Sequence, residues 1–308
     1  MSRAFVFPGQ GAQTIGMGRN LAETYPAARA VFDEVDEALG ENLSGLIWDG
    51  AAEDLTLTAN AQPALMATSL AAMRALEAEG FAVTDAAFVA GHSLGEYSAL
   101  AAAGALSVAD AARLLRARGA AMQAAVPVGV GAMAAILGLD LAAVRAVAAE
   151  AAGDQVCTAA NDNDPAQVVI SGHVEAVARA VDIAKAKGAK RAVMLPVSAP
   201  FHCPLMAPAA DAMAERLGAV DLVAPKVPLM ANVTAAPVSD PDEIRRLLIA
   251  QITGAVRWRE SVEAMVAAGV DEIWEIGAGK ALTGMVRRIA RDVTLANVAT
   301  PADVAARL

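Results

Sequence analysis

Short apolar runs suited to β-strands alternate with helical patterns along this chain, and that rhythm restricts it to an α/β fold with a parallel sheet covered by helices. Ala4 to Phe7 predicts a strand, Pro63 to Glu79 a helix, Ala87 to Ala90 a strand, and Glu96 to Leu106 another helix. From Ala132 the rhythm changes. The segments read strand (MAAIL), helix (Leu141 to Ala152), strand (QVCTAA), strand (QVVISG), helix (Val174 to Lys187) and strand (KRAVMLPV). That is the β-α-β-β-α-β order of a ferredoxin-like unit. Pro127, Gly129 and Gly131 flank it on one side, Pro196 and Pro200 on the other, as expected where a chain leaves and re-enters a host domain. The expectation is a large domain over residues 1-127 and 198-308, interrupted by a ferredoxin-like subdomain over 128-197. One continuous α/β sheet is the alternative.

At 308 residues and 56% hydrophobic content, the chain can bury one large core, or one core with a satellite. A net charge of -10 and 4% aromatics remove the basic footprint and stacking platforms of a nucleic-acid binder. Cys157 and Cys203 form no C-x-x-C or metal-spaced cluster, which predicts inert, half-buried thiols in a reduced compartment. The apolar run before Pro8 is too short for a signal-peptide core, and no stretch suits a membrane span, so a cytoplasmic protein is expected.

Gly91-His92-Ser93-Leu94-Gly95 fits G-x-S-x-G, the strand-to-helix turn that lifts a serine clear of the backbone and needs glycine where chains crowd. Composition predicts roughly 0.06 chance matches, so the pattern needs its context. An apolar strand precedes it and a run of helix formers follows, the flanks such an elbow requires. The following helix aims its free N–H groups at Ser93. The plainer alternative is a serine N-cap on an ordinary helix.

Three histidines compete to be the base. His92 adjoins Ser93 and should leave the turn in another direction, to pack or hydrogen-bond beneath the elbow. His173 opens a helix and is expected to be solvated. His202 lies in PVSAPFHCPLM, between a strand and the helix Met206 to Leu217, at the rim where open α/β sheets build their sites. No acidic residue presents itself as a third member, and Asp162 and Asp164 fall in the insertion. A backbone carbonyl could orient the imidazole instead.

In the helix after Ser107, at about 100° per residue, Arg118 falls in line with Ala111, Leu114 and Met122 on the apolar stripe. A buried guanidinium must find an anion. Two readings stay open: an internal salt bridge, or a socket for a substrate carboxylate. FVFPGQGAQTIGMG lacks the third glycine of a dinucleotide loop, and EIGAGKALTG lacks phosphate-loop spacing, so no nucleotide is implied. The turn at Gln10 could lend an N–H to an oxyanion hole, paired with that of Leu94.

Together these residues resemble one family, the malonyl-CoA:acyl carrier protein transacylases. FPGQGAQ, GHSLGEYSAL, RG-x-x-MQ, NDN with QVVISG, PFHCPLM, QI with VRW, and EIGAGK-x-LTG occur in the family's order over essentially the whole chain. The resemblance implies that Ser93 carries the acyl group and His202 is base and acid. It implies that Arg118 grips the malonyl carboxylate, that Gln10 and Leu94 supply oxyanion N–H groups, and that the backbone carbonyl of Gln251 orients the histidine. It implies an α/β-hydrolase-like large domain with the ferredoxin-like insertion. Malonyl-CoA and acyl carrier protein would be the partners, with no cofactor, metal, nucleic acid or membrane. Ala278 stands where many relatives have proline, away from the chemistry. Leu94 and Phe201 resemble the malonyl-selective pattern.

A serine thioesterase or esterase, a polyketide-type acyltransferase with another acyl group, and an inactive carrier-docking scaffold are the alternatives. A carrier protein is acidic, so docking needs a basic face, for which Lys185, Lys187, Lys190 with Arg191, or Arg287 with Arg288, are candidates. If Lys190→Glu left transfer to the carrier unchanged at low salt, Lys190 would not belong to that face.

Overall fold

The computed structural model describes residues 2–197 and 199–308. Met1 and Ser198, the first residues of the two stretches expected to form the large domain, lie outside the described residues. Among the described residues ten strands make two sheets. In chain order they are β1 (Arg3–Phe7), β2 (Ala86–Gly91), β3 (Gly131–Leu137), β4 (Cys157–Asp164), β5 (Gln167–His173), β6 (Arg191–Met194), β7 (Leu229–Ala231), β8 (Ala236–Val238), β9 (Glu272–Ile276) and β10 (Thr294–Val298).

The larger sheet runs β10-β9-β1-β2-β7-β8, parallel except where β8 turns back antiparallel on β7. It is therefore mixed at one edge, where a purely parallel sheet was expected. Both faces are covered, as strand alternation shows. Phe5 and Phe7 of β1 join the core under helix Thr58–Ala78, while Ala4 and Val6 join a second cluster with Val262, Met265 and Trp258.

The smaller sheet is antiparallel, in the order β4-β5-β3-β6. Its strands are linked as β-α-β-β-α-β through helices Leu141–Ala152 and Val174–Ala186. Alternation again divides the faces. Ala134, Ile136, Val168 and Ile170 pack with Val144 and Val177 in a separate small core, whereas Met133, Ala135 and Val169 face the main core. This second face becomes one wall of the site.

Several element ends differ from expectation. The helix anticipated from Pro63 starts at Thr58, a turn earlier, with Pro63 inside it. The strand read as QVCTAA continues through Asn161, Asp162, Asn163 and Asp164, because Asp162 N–H and Ala160 C=O bond to the backbone of Val256 and extend the pairing. The helix after Ser93 ends at Ala102 rather than Leu106, stopped by Gly104 at φ +75°. Among the described residues no helix is long and apolar enough to cross a membrane.

Candidate active site

Strand β2 ends at Gly91 and helix Gly95–Ala102 begins four residues on, so the chain reverses within the elbow. Both glycines are needed for the crossing: a Cβ on Gly91 would lie 1.9 Å from Gly95 C, and one on Gly95 would lie 2.3 Å from Phe7 O. Ser93 takes φ +53°, a conformation that costs an L-residue roughly 1–2 kcal/mol. Asn232 holds it there. Its Oδ1 accepts from Ser93 N–H at 2.8 Å, and its Nδ2 donates to Gly91 O at 2.7 Å. The N-cap position belongs to Leu94, and no side chain caps the helix, which removes the plain serine-cap reading.

His202 meets the serine from the loop after β6. Its Nε2 lies 2.8 Å from Ser93 Oγ, and its Nδ1 lies 2.8 Å from the backbone oxygen of Gln251. A carbonyl can only accept, so Nδ1 carries the proton and the Nε2 lone pair faces the hydroxyl. Burial first, and then the Arg118 charge, pushes the imidazole down to about 3, so it is neutral at neutral pH and free to take a proton.

Arg118 is 1% exposed. Among the described residues it has no salt bridge; its guanidinium donates instead to Gln62 Oε1 at 2.7 Å, Gln251 Oε1 at 2.8 Å and Ser93 Oγ at 3.0 Å. The internal-salt-bridge reading is thereby overturned. Gln251 also gives its Nε2 to Ser93 O at 2.9 Å and to the Glu96 carboxylate. Burial pushes Glu96 up to about 8, against the hydrogen bonds of Asn232 and Gln251 and the Arg118 charge, which pull it down.

Ser93, Leu94, Arg118, His202 and Phe201 line one cavity of about 380 Å³, with Gln10 at its rim and Met133, Ala135, Asn161, Asn163 and Val169 of the smaller sheet opposite. The Leu94 N–H bonds to no other described residue and is available to an oxyanion. Gln251 is not among the lining residues, but its carbonyl and amide reach three that are, His202, Arg118 and Ser93.

The remaining expectations divide. His92 makes the hydrogen bond expected of it, with Nε2 2.8 Å from Asn163 Oδ1 and its ring near Trp258, but it also lines the cavity beside Ser93. His173 is not the solvated side chain expected, since its Nδ1 accepts from Val156 N–H at 2.9 Å. Cys157 and Cys203 are free and fully rather than half buried, and burial pushes the Cys157 thiol up to about 11. Among the basic candidates, Lys185, Lys187 and Arg288 are paired with Asp182, Glu150 and Asp164, while Lys190 is exposed. Sequence reasoning passed over Gln62, Glu96 and Asn232. Two carried a signal: Glu96 is the single charge in GEYSALAA, and Gln62 interrupts an apolar helix, so each buried polar group demanded partners.

Residues 4–306 match the family model described as an acyl transferase domain. The chain belongs to the acyl transferase domain family. This acyl transferase domain is 48% identical to the malonyl CoA-acyl carrier protein transacylase of Escherichia coli strain K12, over 99% of this chain and 98% of that one. It is 48% identical to the enzyme of the same name from Bacillus subtilis strain 168, over 97% and 93%. The crystal structure of an acyl-carrier-protein S-malonyltransferase from Bartonella henselae superposes with a TM-score of 0.98 at 56% identity, covering 100% and 98% of the two chains. A malonyl-transacylase solved in complex with its type II PKS acyl-carrier protein gives 0.97 at 42% identity, covering 100% and 99%. The resemblance carried by the ordered motifs is thus one of family membership.

Proposed function

We propose that this acyl transferase domain moves a malonyl group from malonyl-CoA to the phosphopantetheine thiol of acyl carrier protein, through an ester on Ser93. His202 Nε2 takes the Ser93 hydroxyl proton as Oγ bonds to the thioester carbonyl carbon. The N–H groups of Gln10 and Leu94 hold the oxyanion, and the carbon–sulfur bond breaks. CoA leaves with the proton returned from His202. The carrier thiol then gives its proton to His202 and attacks the ester, and Ser93 regains its hydrogen as malonyl departs on sulfur. Arg118 holds the malonyl carboxylate throughout, which restricts the acyl group to one bearing that charge.

One observation carries the reading: a single oxygen, Ser93 Oγ, lies 2.8 Å from the His202 imidazole and 3.0 Å from a buried guanidinium that lacks a salt bridge among the described residues. The first contact suits a nucleophile, the second a carboxylate-bearing acyl group. Relatives that align along nearly the whole chain and bear this activity in their names support it. The same proposal takes residues 1-127 and 198-308 as an α/β-hydrolase-like catalytic domain and 128-197 as a ferredoxin-like insertion, supported by the two sheet orders and the separate small core. A cytoplasmic location goes with it, supported by two unpaired thiols.

Mixing the protein with malonyl-CoA alone, then measuring intact mass and mapping peptides, is expected to find one malonyl group on Ser93. An unlabelled Ser93 after prolonged incubation would end the proposal.

A further inference from the structure

Arg118 Nη1 donates to Gln62 Oε1 at 2.7 Å, so the Gln62 amide must turn its Nε2 the other way. That nitrogen donates to Thr58 Oγ1 at 3.0 Å, and the Thr58 hydroxyl in turn donates to Gln10 Oε1 at 2.9 Å. Three bonds therefore run in one sense from the guanidinium to the loop after β1. A hydrogen-bond chain with a charge at its head is polarised along its length, each link strengthening the next. Thr58 and Gln62 are 2% and 1% exposed, so water does not stand in for their partners.

The turn that carries both residues is shaped for this contact. Pro63 has no N–H to give to Ala59 O, and Arg116 Nη1 donates to that carbonyl instead, at 2.9 Å. Beside Arg118, Gly119 leaves no space for a side chain: a Cβ there would lie 2.6 Å from Thr58 O and Ala59 Cα. Helix Val108–Ala124 thereby closes on the first turn of helix Thr58–Ala78, near enough for Arg118 to reach Gln62.

We infer that Thr58 and Gln62 are positioning residues that tie the acyl-carboxylate socket at Arg118 to the oxyanion loop at Gln10. This rests on the malonyl-transfer reading above. Both act through their neighbours: Gln62 sets the angle of the guanidinium, and Thr58 anchors the side chain of the residue whose backbone N–H faces the developing charge. Carboxylate recognition and oxyanion stabilisation are held in one register by a single string of hydrogen bonds.

The test is a double-mutant cycle on the Thr58–Gln10 link, with Thr58→Val and Gln10→Leu removing it from opposite ends. The rate of Ser93 acylation at saturating malonyl-CoA, and the half-saturating concentration, are read by quenched intact mass. Each single variant is expected to lower the saturating rate about tenfold, the effect of one ordinary hydrogen bond, with half-saturation moving within about twofold. The double variant should be no slower than the slower single, and Thr58→Ser should restore the rate. Losses that multiply in the double, a loss confined to half-saturation, or Gln10→Leu at the wild-type rate would overturn the link. Gln10 is exposed, so that variant decides the matter even if Thr58→Val does not fold. Failure of the wild type to form malonyl-Ser93 would overturn the transfer reading and this inference with it; labelling of the wild type with unaffected variants would overturn the inference alone.

Discussion

At the seam between the two sheets, Asp162 and Asp164 are 3% and 1% exposed, and each meets an arginine at 2.8 Å, Arg259 and Arg288, whereas at the elbow the equally buried Arg118 has no salt bridge among the described residues. The seam acids sit on β4 and the arginines on helices Trp258–Ala267 and Ala281–Ile289, so their pairing joins the smaller sheet to the larger layer and sets each buried carboxylate against a cation. At the elbow the cation rests on two amide oxygens and a hydroxyl, and the acid Glu96 reaches it only through the Gln251 amide. Burying an unpaired charge is costly, and a chain that needed only stability could pair this one as it pairs the seam. An unpaired cation at this place is what the proposed malonyl carboxylate would meet.

Removing the unpaired cation is expected to have the largest effect. Arg118→Ala should slow Ser93 acylation by malonyl-CoA about a hundredfold or more, as two charge-assisted bonds are lost, while acylation by acetyl-CoA holds or rises. Quenched acylation with the two donors checks this. Equal loss with both would reduce Arg118 to a structural group and favour an esterase with no carboxylate socket.

The next effect sharpens the contrast through pH. His202 is held at about 3 in the folded chain against an ordinary 6.5, so between those values the unfolded chain binds a proton that the folded one refuses. Stability therefore falls as pH drops from 6.5 toward 3, by up to about 1.4 kcal/mol per unit. Urea midpoints at pH 7 and pH 5 should show the wild type losing about 2 kcal/mol more than His202→Gln. Parallel losses would mean that the imidazole is not held neutral.

The smallest effect belongs to the seam. Arg259→Ala strands the buried Asp162, but the arginine is partly exposed and the carboxyl, which burial already pushes upward, can take a proton. A loss of about 1–2 kcal/mol is expected, with the acylation rate of the folded protein unchanged. A slowed acylation would show that the seam reaches the chemistry.

Much of the site was legible where a local rule binds residue type to geometry. The two glycines around Ser93 announce an elbow, and helical phase puts Arg118 on a buried stripe. The β-α-β-β-α-β order was likewise readable between its breakers, though β4 ran longer because its pairing with Val256 comes from nearly a hundred positions away. What escaped is of that second kind. Asn232 clamps Gly91 and Ser93 from 139 positions downstream of the serine, and the order Arg118–Gln62–Thr58–Gln10 exists only once helices and loops have met. The role of Gln251 came only through family resemblance, since a main-chain oxygen leaves no mark on residue identity.

That oxygen has a consequence for how this centre can be perturbed. Where a carboxylate steers an imidazole, acid can neutralise the steering group and substitution can delete it; the peptide carbonyl at Gln251 has no dissociable hydrogen and survives any exchange of its side chain. The tautomer of His202 is therefore set by the path of the backbone alone, and only displacing the end of helix Pro241–Thr253 would release it.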